Sequence, residues 1–219
     1  MAKADRTGKR KTRDSFPKRT PDLGHYFIVT DTEETEENYL YGLRDSLPLE
    51  LRSRIVIQVS QAPTNRLVRE CLEKAALDPQ YAQPWIVFDR DRVKNFDKII
   101  SQAETFGIHI GWSNPCIEIW FDAYFGKIHS YSDSVTCCRK FADTFKTKTE
   151  QEYKKSNRQI YALLCQYGDE TKAIQIAEHR LTACLLNNTK PSEMVPCTTL
   201  HRLVGEIRQK AAVQTKPTP

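Results

Sequence analysis

Residues 85–92 read Trp85-Ile86-Val87-Phe88-Asp89-Arg90-Asp91-Arg92: four apolar residues running into two carboxylates one residue apart. A short apolar run that stops at a polar break predicts a fully buried strand, the kind found in a parallel sheet. In open α/β sheets, ligands gather beyond the carboxyl ends of the strands, where Asp89 and Asp91 emerge. Carboxylates at i and i+2 can converge on one hard cation such as Mg²⁺ or Mn²⁺, which prefers oxygen ligands. A solvated turn is the plain alternative, because Asp is common wherever strands end.

Outward from this strand, the chain alternates. Residues 24–30 predict a first strand rich in aromatic and β-branched residues, and Arg54 to Val59 a second. Residues 108–112 predict a fourth. Between them lie apolar positions at helical spacing: Tyr39, Leu40 and Leu43; Leu67, Val68, Cys71 and Leu72; Phe96, Ile99, Ile100 and Ala103. Strand–helix alternation calls for a mostly parallel sheet covered by helices on both faces. Right-handed crossovers then bring the strand ends to one edge.

That edge receives more acids. The first strand runs into Asp31-Thr32-Glu33-Glu34-Thr35-Glu36-Glu37, five carboxylates in seven residues, more than a helix start requires. Thr35 is expected as N-cap of the helix that follows. After the fourth strand, Ser113 or Asn114 is expected to cap a further helix with Pro115 at its first position. Glu118 then falls in that helix's first turn. Ile117, Trp120, Phe121, Tyr124 and Phe125 read as core rather than as a nucleotide platform.

From Ser134 onward the pattern is helical near 135–146, 150–167 and 170–187. Cys197-Thr198-Thr199 is expected to cap a last helix through about Gln209. The domain reading is a basic, disordered tail over 1–21 and an α/β core over 22–130. A helical extension over 131–210, packed on the core, and a flexible tail over 211–219 complete it.

The 219 residues carry a net charge of +5. Residues 1–20 hold eight basic side chains against Asp5 and Asp14, a net +6, so the rest of the chain sums to −1. Lys9, Arg10, Lys11, Arg13, Lys18 and Arg19 thus form an arm suited to nucleic-acid phosphates, or a solubilising leader. No run approaches the ~18 apolar residues of a membrane span, and no apolar stretch follows the basic start, so a cytoplasmic protein is expected. The seven cysteines show no C-x-x-C pair, and adjacent Cys137 and Cys138 are poorly placed to chelate one zinc ion together. Reduced, mostly buried thiols are expected.

Three stretches together resemble the RloB-like family, grouped with Toprim-like α/β domains. They are the T-E-x-N-Y element (Thr35, Glu36, Asn38, Tyr39), F-D-R-D, and S-N-P-C-x-E-x-W. The late P-C-T-T-x-H-R-L-V segment is similar to the family's C-terminal element, and the resemblance spans roughly 24–208. It implies a Toprim-like sheet in which an acid after the first strand serves as general acid/base and a D-x-D after the third holds Mg²⁺. It also implies a metal-dependent nuclease, paired with an ATPase protein encoded alongside it in phage-defence loci; a homo-oligomer is left open. Carried onto this chain, the catalytic acids are Asp31 and Glu36 and the metal ligands Asp89 and Asp91, with Glu33 and Glu118 at the pocket's edge. Here Asp31 stands where the family has Glu, and Thr32 where it has Gly. The shorter carboxylate stops about an ångström short, and misplacement on that scale costs ~10²-fold in rate. The alternative is a non-catalytic binding or regulatory module of the same ATPase complex. D-R-D-R-V also matches the opening of haloacid-dehalogenase phosphatases, but the acidic strand end they need downstream is missing from the sequence.

Overall fold

The computed structural model describes residues 24–214 apart from 32, 33, 62, 78–80, 82, 92 and 132. The basic arm expected to contact phosphates (Lys9, Arg10, Lys11, Arg13, Lys18 and Arg19), together with Thr32 and Glu33, lies outside the described residues. The strands are β1 (Tyr26–Thr30), β2 (Ile55–Val59), β3 (Gln83–Asp89), β4 (His109–Asn114) and β5 (Cys197–Thr198). The helices are α1 (Thr35–Asp45), α2 (Leu49–Arg52), α3 (Leu67–Leu77), α4 (Phe96–Thr105) and α5 (Glu118–Tyr124). They continue with α6 (Ser134–Thr149), α7 (Ile160–Tyr167), α8 (Glu170–Leu186) and α9 (Leu200–Gln214). The fold is α/β.

The sheet order is β2-β1-β3-β4-β5, parallel throughout except for β5. β1 is buried along its whole length: β2 and β3 flank it in the sheet, and helices cover both of its faces. Strand side chains alternate between faces, and the two cores follow that alternation. Tyr26, Ile28, Trp85 and Val87 join one core with α1, α5 and α9; Phe27, Val29, Ile86 and Phe88 join the other with α3 and α4. Each face buries a large aromatic: Trp85 on the first, Phe88 against Phe96 at 5.4 Å on the second. α4 ends where Gly107 takes φ +69, a conformation that glycine adopts without the steric cost of a Cβ.

Several element boundaries differ from the sequence reading. Thr35 is the first residue of α1 rather than its cap; Glu34 occupies the capping position at φ 82 and makes no side-chain cap. Ser113 and Asn114 do not cap a helix but extend β4, because β5 pairs with them in antiparallel register. Pro115 follows a cis peptide, and α5 begins only at Glu118. Cys197 and Thr198, expected in a helix cap, are β5 itself. Thr198 Oγ1 donates to the Trp112 carbonyl, and the Trp112 N–H donates to Thr199 Oγ1 at 2.9 Å. The stretch 150–159 is non-helical, and α9 continues to Gln214, past the expected start of a loose tail.

The helices after 131 share the first core. Phe141, Phe145, Leu164, Ala173, Leu200 and Val204 pack in one cluster with Tyr39, Trp120 and Phe121. Among the described residues, no helix is long and apolar enough to cross a membrane.

Candidate functional site: an acidic cavity at the strand ends

The strand order decides where the acids meet. β1 leads to β2 on one side, while β3 lies on its other side, so the sheet switches direction between β1 and β3. A switch point opens a crevice at the carboxyl ends of the two strands. Asp31 follows β1 and Asp89 ends β3, so both fall at that crevice. A cavity of about 670 Å³ occupies it, lined by Asp31, Glu34, Glu36, Asp89, Asp91 and Glu118 together with Thr64, Cys116, Cys138 and Lys155. Asp31, Glu36, Asp89, Asp91 and Glu118, named separately from the sequence, are thus brought together.

Each acid is held differently. Asp31 Oδ2 accepts from Thr64 Oγ1 at 2.7 Å, while its Oδ1 is buried without a partner. Burial, partly offset by that hydrogen bond, raises its pKa. Glu36, only 3% exposed, enters from the first turn of α1. Asp89 Oδ2 accepts the Ile117 N–H at 3.0 Å. Burial foremost, then the charges of Glu36 and Glu118 and a carboxyl hydrogen bond with Glu36, push Asp89 well above the usual range. Asp91 is exposed, and its Oδ1 accepts from Ser134 Oγ at 2.7 Å.

The backbone around this pair is stitched to the next strand. The Arg90 N–H donates to the Ser113 carbonyl at 2.7 Å, and the Asp91 N–H to the Pro115 carbonyl at 3.0 Å. The D-x-D turn therefore rests on the β4–α5 connection, which carries Glu118.

Glu118 is the least exposed of the acids lining the cavity, at 1%. Its Oε1 accepts from Tyr153 Oη at 3.0 Å, with Lys155 Nζ 3.8 Å away; its Oε2 is buried without a partner. Tyr153 and Lys155 come from the non-helical stretch after α6. Sequence reading missed both as site residues, because they fall in the stretch 150–167 expected to be helical. The only local sign is the polar run Gln151 to Asn157, which breaks the apolar spacing.

Chemically, the cavity offers oxygen donors in excess of cations. Lys155 is its one basic lining residue among those described. Two buried carboxylate oxygens have no partner, and such atoms are costly unless something satisfies them. A divalent cation fits this donor set, hard oxygens with incomplete charge compensation. The late segment stands apart from the cavity: His201 Nε2 pairs with Glu178 Oε2 at 2.6 Å, on the α8–α9 contact.

Comparison with known proteins gives one family: a family model described as RloB-like protein matches residues 26–207. No curated protein and no solved structure matches the chain.

Proposed function

We propose, from the premise that the chain belongs to the RloB-like family, that it is a divalent-cation-dependent nuclease with a Toprim-like catalytic sheet. In this reading it works in the cytoplasm as the effector of an ATPase partner in anti-phage defence. The observation that carries the reading is the convergence of Asp31, Glu36, Asp89, Asp91 and Glu118 on one cavity at the β1/β3 switch point. Asp89 and Asp91 would hold Mg²⁺ or Mn²⁺, with Glu118 behind them. When bound, the cation supplies Lewis-acid neutralisation of a scissile phosphodiester.

The chain's own residues do the rest. Asp89, with its raised affinity for a proton, gives that proton up when a cation enters. Asp31 or Glu36 handles the proton of the attacking water. Lys155, at the rim, faces the non-bridging phosphate oxygens and stabilises charge developing there. The basic arm over residues 1–20 tracks the polyanion without reading bases.

One observation favours a second reading, a non-catalytic module of the same ATPase complex. Asp31 is tied to Thr64 at 2.7 Å and carries a side chain one methylene shorter than the glutamate expected by resemblance. The test is co-expression with the ATPase encoded alongside, using wild type, Asp31→Glu and Asp89→Ala/Asp91→Ala. Nucleic-acid degradation by wild type with Mg²⁺, lost in the double variant, supports the nuclease. Cleavage gained only by Asp31→Glu supports the module. Absence of cleavage from every variant, with and without the ATPase, removes the nuclease reading.

A further inference from the structure

The cavity has a second wall whose chemistry is not that of a hard cation. Cys116, in the turn between β4 and α5, and Cys138, on α6, are 22 residues apart in sequence, yet their sulfurs stand 3.9 Å apart. Both are free thiols, Cys116 buried and Cys138 half-buried. A carboxylate oxygen of Glu118 joins them, with all three ligand atoms within 4.8 Å of one another. Glu118 Oε2 is buried and has no hydrogen-bond partner.

From these groups we propose a distinct site for a soft divalent cation of the Zn²⁺ class, bound by Cys116 Sγ, Cys138 Sγ and Glu118. Zinc–sulfur bonds of ~2.3 Å in a tetrahedron put two thiolates about 3.8 Å apart, close to the separation found here. The carboxylate closes on the ion by about an ångström at most, given zinc–oxygen bonds of ~2.0–2.2 Å. Binding replaces the two thiol protons, released to solvent, with the metal, and leaves a fourth position facing the cavity. Three protein ligands and one open position is the arrangement of a reactive rather than a purely structural zinc. Thiolates select Zn²⁺ over Mg²⁺, so this wall and the Asp89/Asp91 wall take different ions. The local sequence hides the site because the two cysteines belong to different elements; Cys137, adjacent to Cys138 in sequence and fully buried, also turns its thiol toward Cys116. The site does not rest on the nuclease reading.

Titration of the reduced, full-length protein with Co²⁺ as an optical substitute for Zn²⁺ tests the proposal. Wild type is expected to develop an intense thiolate-to-cobalt charge-transfer absorption and enhanced tetrahedral ligand-field bands, both displaced by Zn²⁺ but not by Mg²⁺. Cys138→Ser, with folding checked by circular dichroism, is expected to lose the charge-transfer band. Its Co²⁺ affinity should fall by more than the ~10–100-fold that residues merely supporting a metal command. Cys165→Ser, at an exposed cysteine, retains the bands. Asp89→Asn/Asp91→Asn also retains them while losing Mn²⁺ binding. A wild-type spectrum without charge transfer, its persistence in both Cys116→Ser and Cys138→Ser, or its loss in Asp89→Asn/Asp91→Asn would overturn the proposal.

Discussion

Asp89 Oδ2 accepts the backbone N–H of Ile117 at 3.0 Å, across 28 residues of sequence. The bond ties the end of β3 to the residue before α5, so the D-x-D turn is anchored to the segment that carries Glu118. One oxygen of Asp89 is thereby oriented by backbone. Its proton affinity is set by burial and by Glu36 and Glu118.

Cation binding should stabilise the fold in proportion to occupancy. At a free ion concentration 100 times Kd, mass action contributes about 2.7 kcal/mol. For a chain of this size that corresponds to a rise in Tm of roughly 5–10 °C. Thermal melts with and without millimolar Mn²⁺ measure it, and Asp89→Asn/Asp91→Asn should abolish the rise. An equal shift in the double variant would show that the ion binds elsewhere.

Without metal, pH should act in the opposite sense from that of a paired carboxylate. Asp89 binds its proton more tightly folded than unfolded. Its contribution is therefore full below the unfolded value, about pH 4, and is lost as pH rises toward the raised folded value. Melts in EDTA should show stability declining through that window, and Asp89→Asn should flatten the decline. Saturating Mn²⁺ should reverse it, because the ion requires the deprotonated form.

Tyr153 supplies the only hydroxyl donor found to the buried Glu118 carboxylate among the described residues. Tyr153→Phe keeps the ring packed against Phe141 at 4.8 Å and removes only that donor. Hydrogen bonds to charged groups contribute roughly 1.5–3 kcal/mol, so a loss in that range is expected in urea unfolding. A change below about 0.5 kcal/mol would mean that water or Lys155 replaces the phenol.

Gly42 sits inside α1, where alanine would ordinarily stabilise by about 1 kcal/mol. A Cβ there would lie only 2.4 Å from Tyr161 Cβ on α7, so α1 must shift to accommodate it. Overpacking of this kind costs typically 1–3 kcal/mol and should outweigh the propensity gain. Because α1 carries Glu36, Gly42→Ala is also expected to weaken Mn²⁺ binding; a more stable protein with unchanged Mn²⁺ affinity would count against the close α1–α7 contact.

The elements that were legible in the sequence are those with a local cause. Unbroken apolar runs, buried on both faces, marked β1 and β3, and the 96, 99, 100, 103 spacing marked α4. The polar stop after Phe88 marked the D-x-D turn. The misread boundaries had non-local causes. Ser113 and Asn114 have the residue types of a helix cap, but pairing with β5 holds them in the sheet. Tyr153 fits a helical apolar face by spacing, yet its phenol reaches Glu118 from a loop.

By itself, then, the sequence determined the alternation of strands and helices and the emergence of acids at three separate strand ends. Both depend on residue type and short-range spacing. Only the tertiary structure decided that β1 lies between β2 and β3, and hence that Asp31 and Asp89 flank one crevice. It also brought Tyr153, Lys155 and Cys138 to that crevice. The reason is physical: strand order and helix docking are chosen by how whole apolar faces pack together, and no local pattern encodes which distant carboxylate or thiol that packing will leave within reach of another.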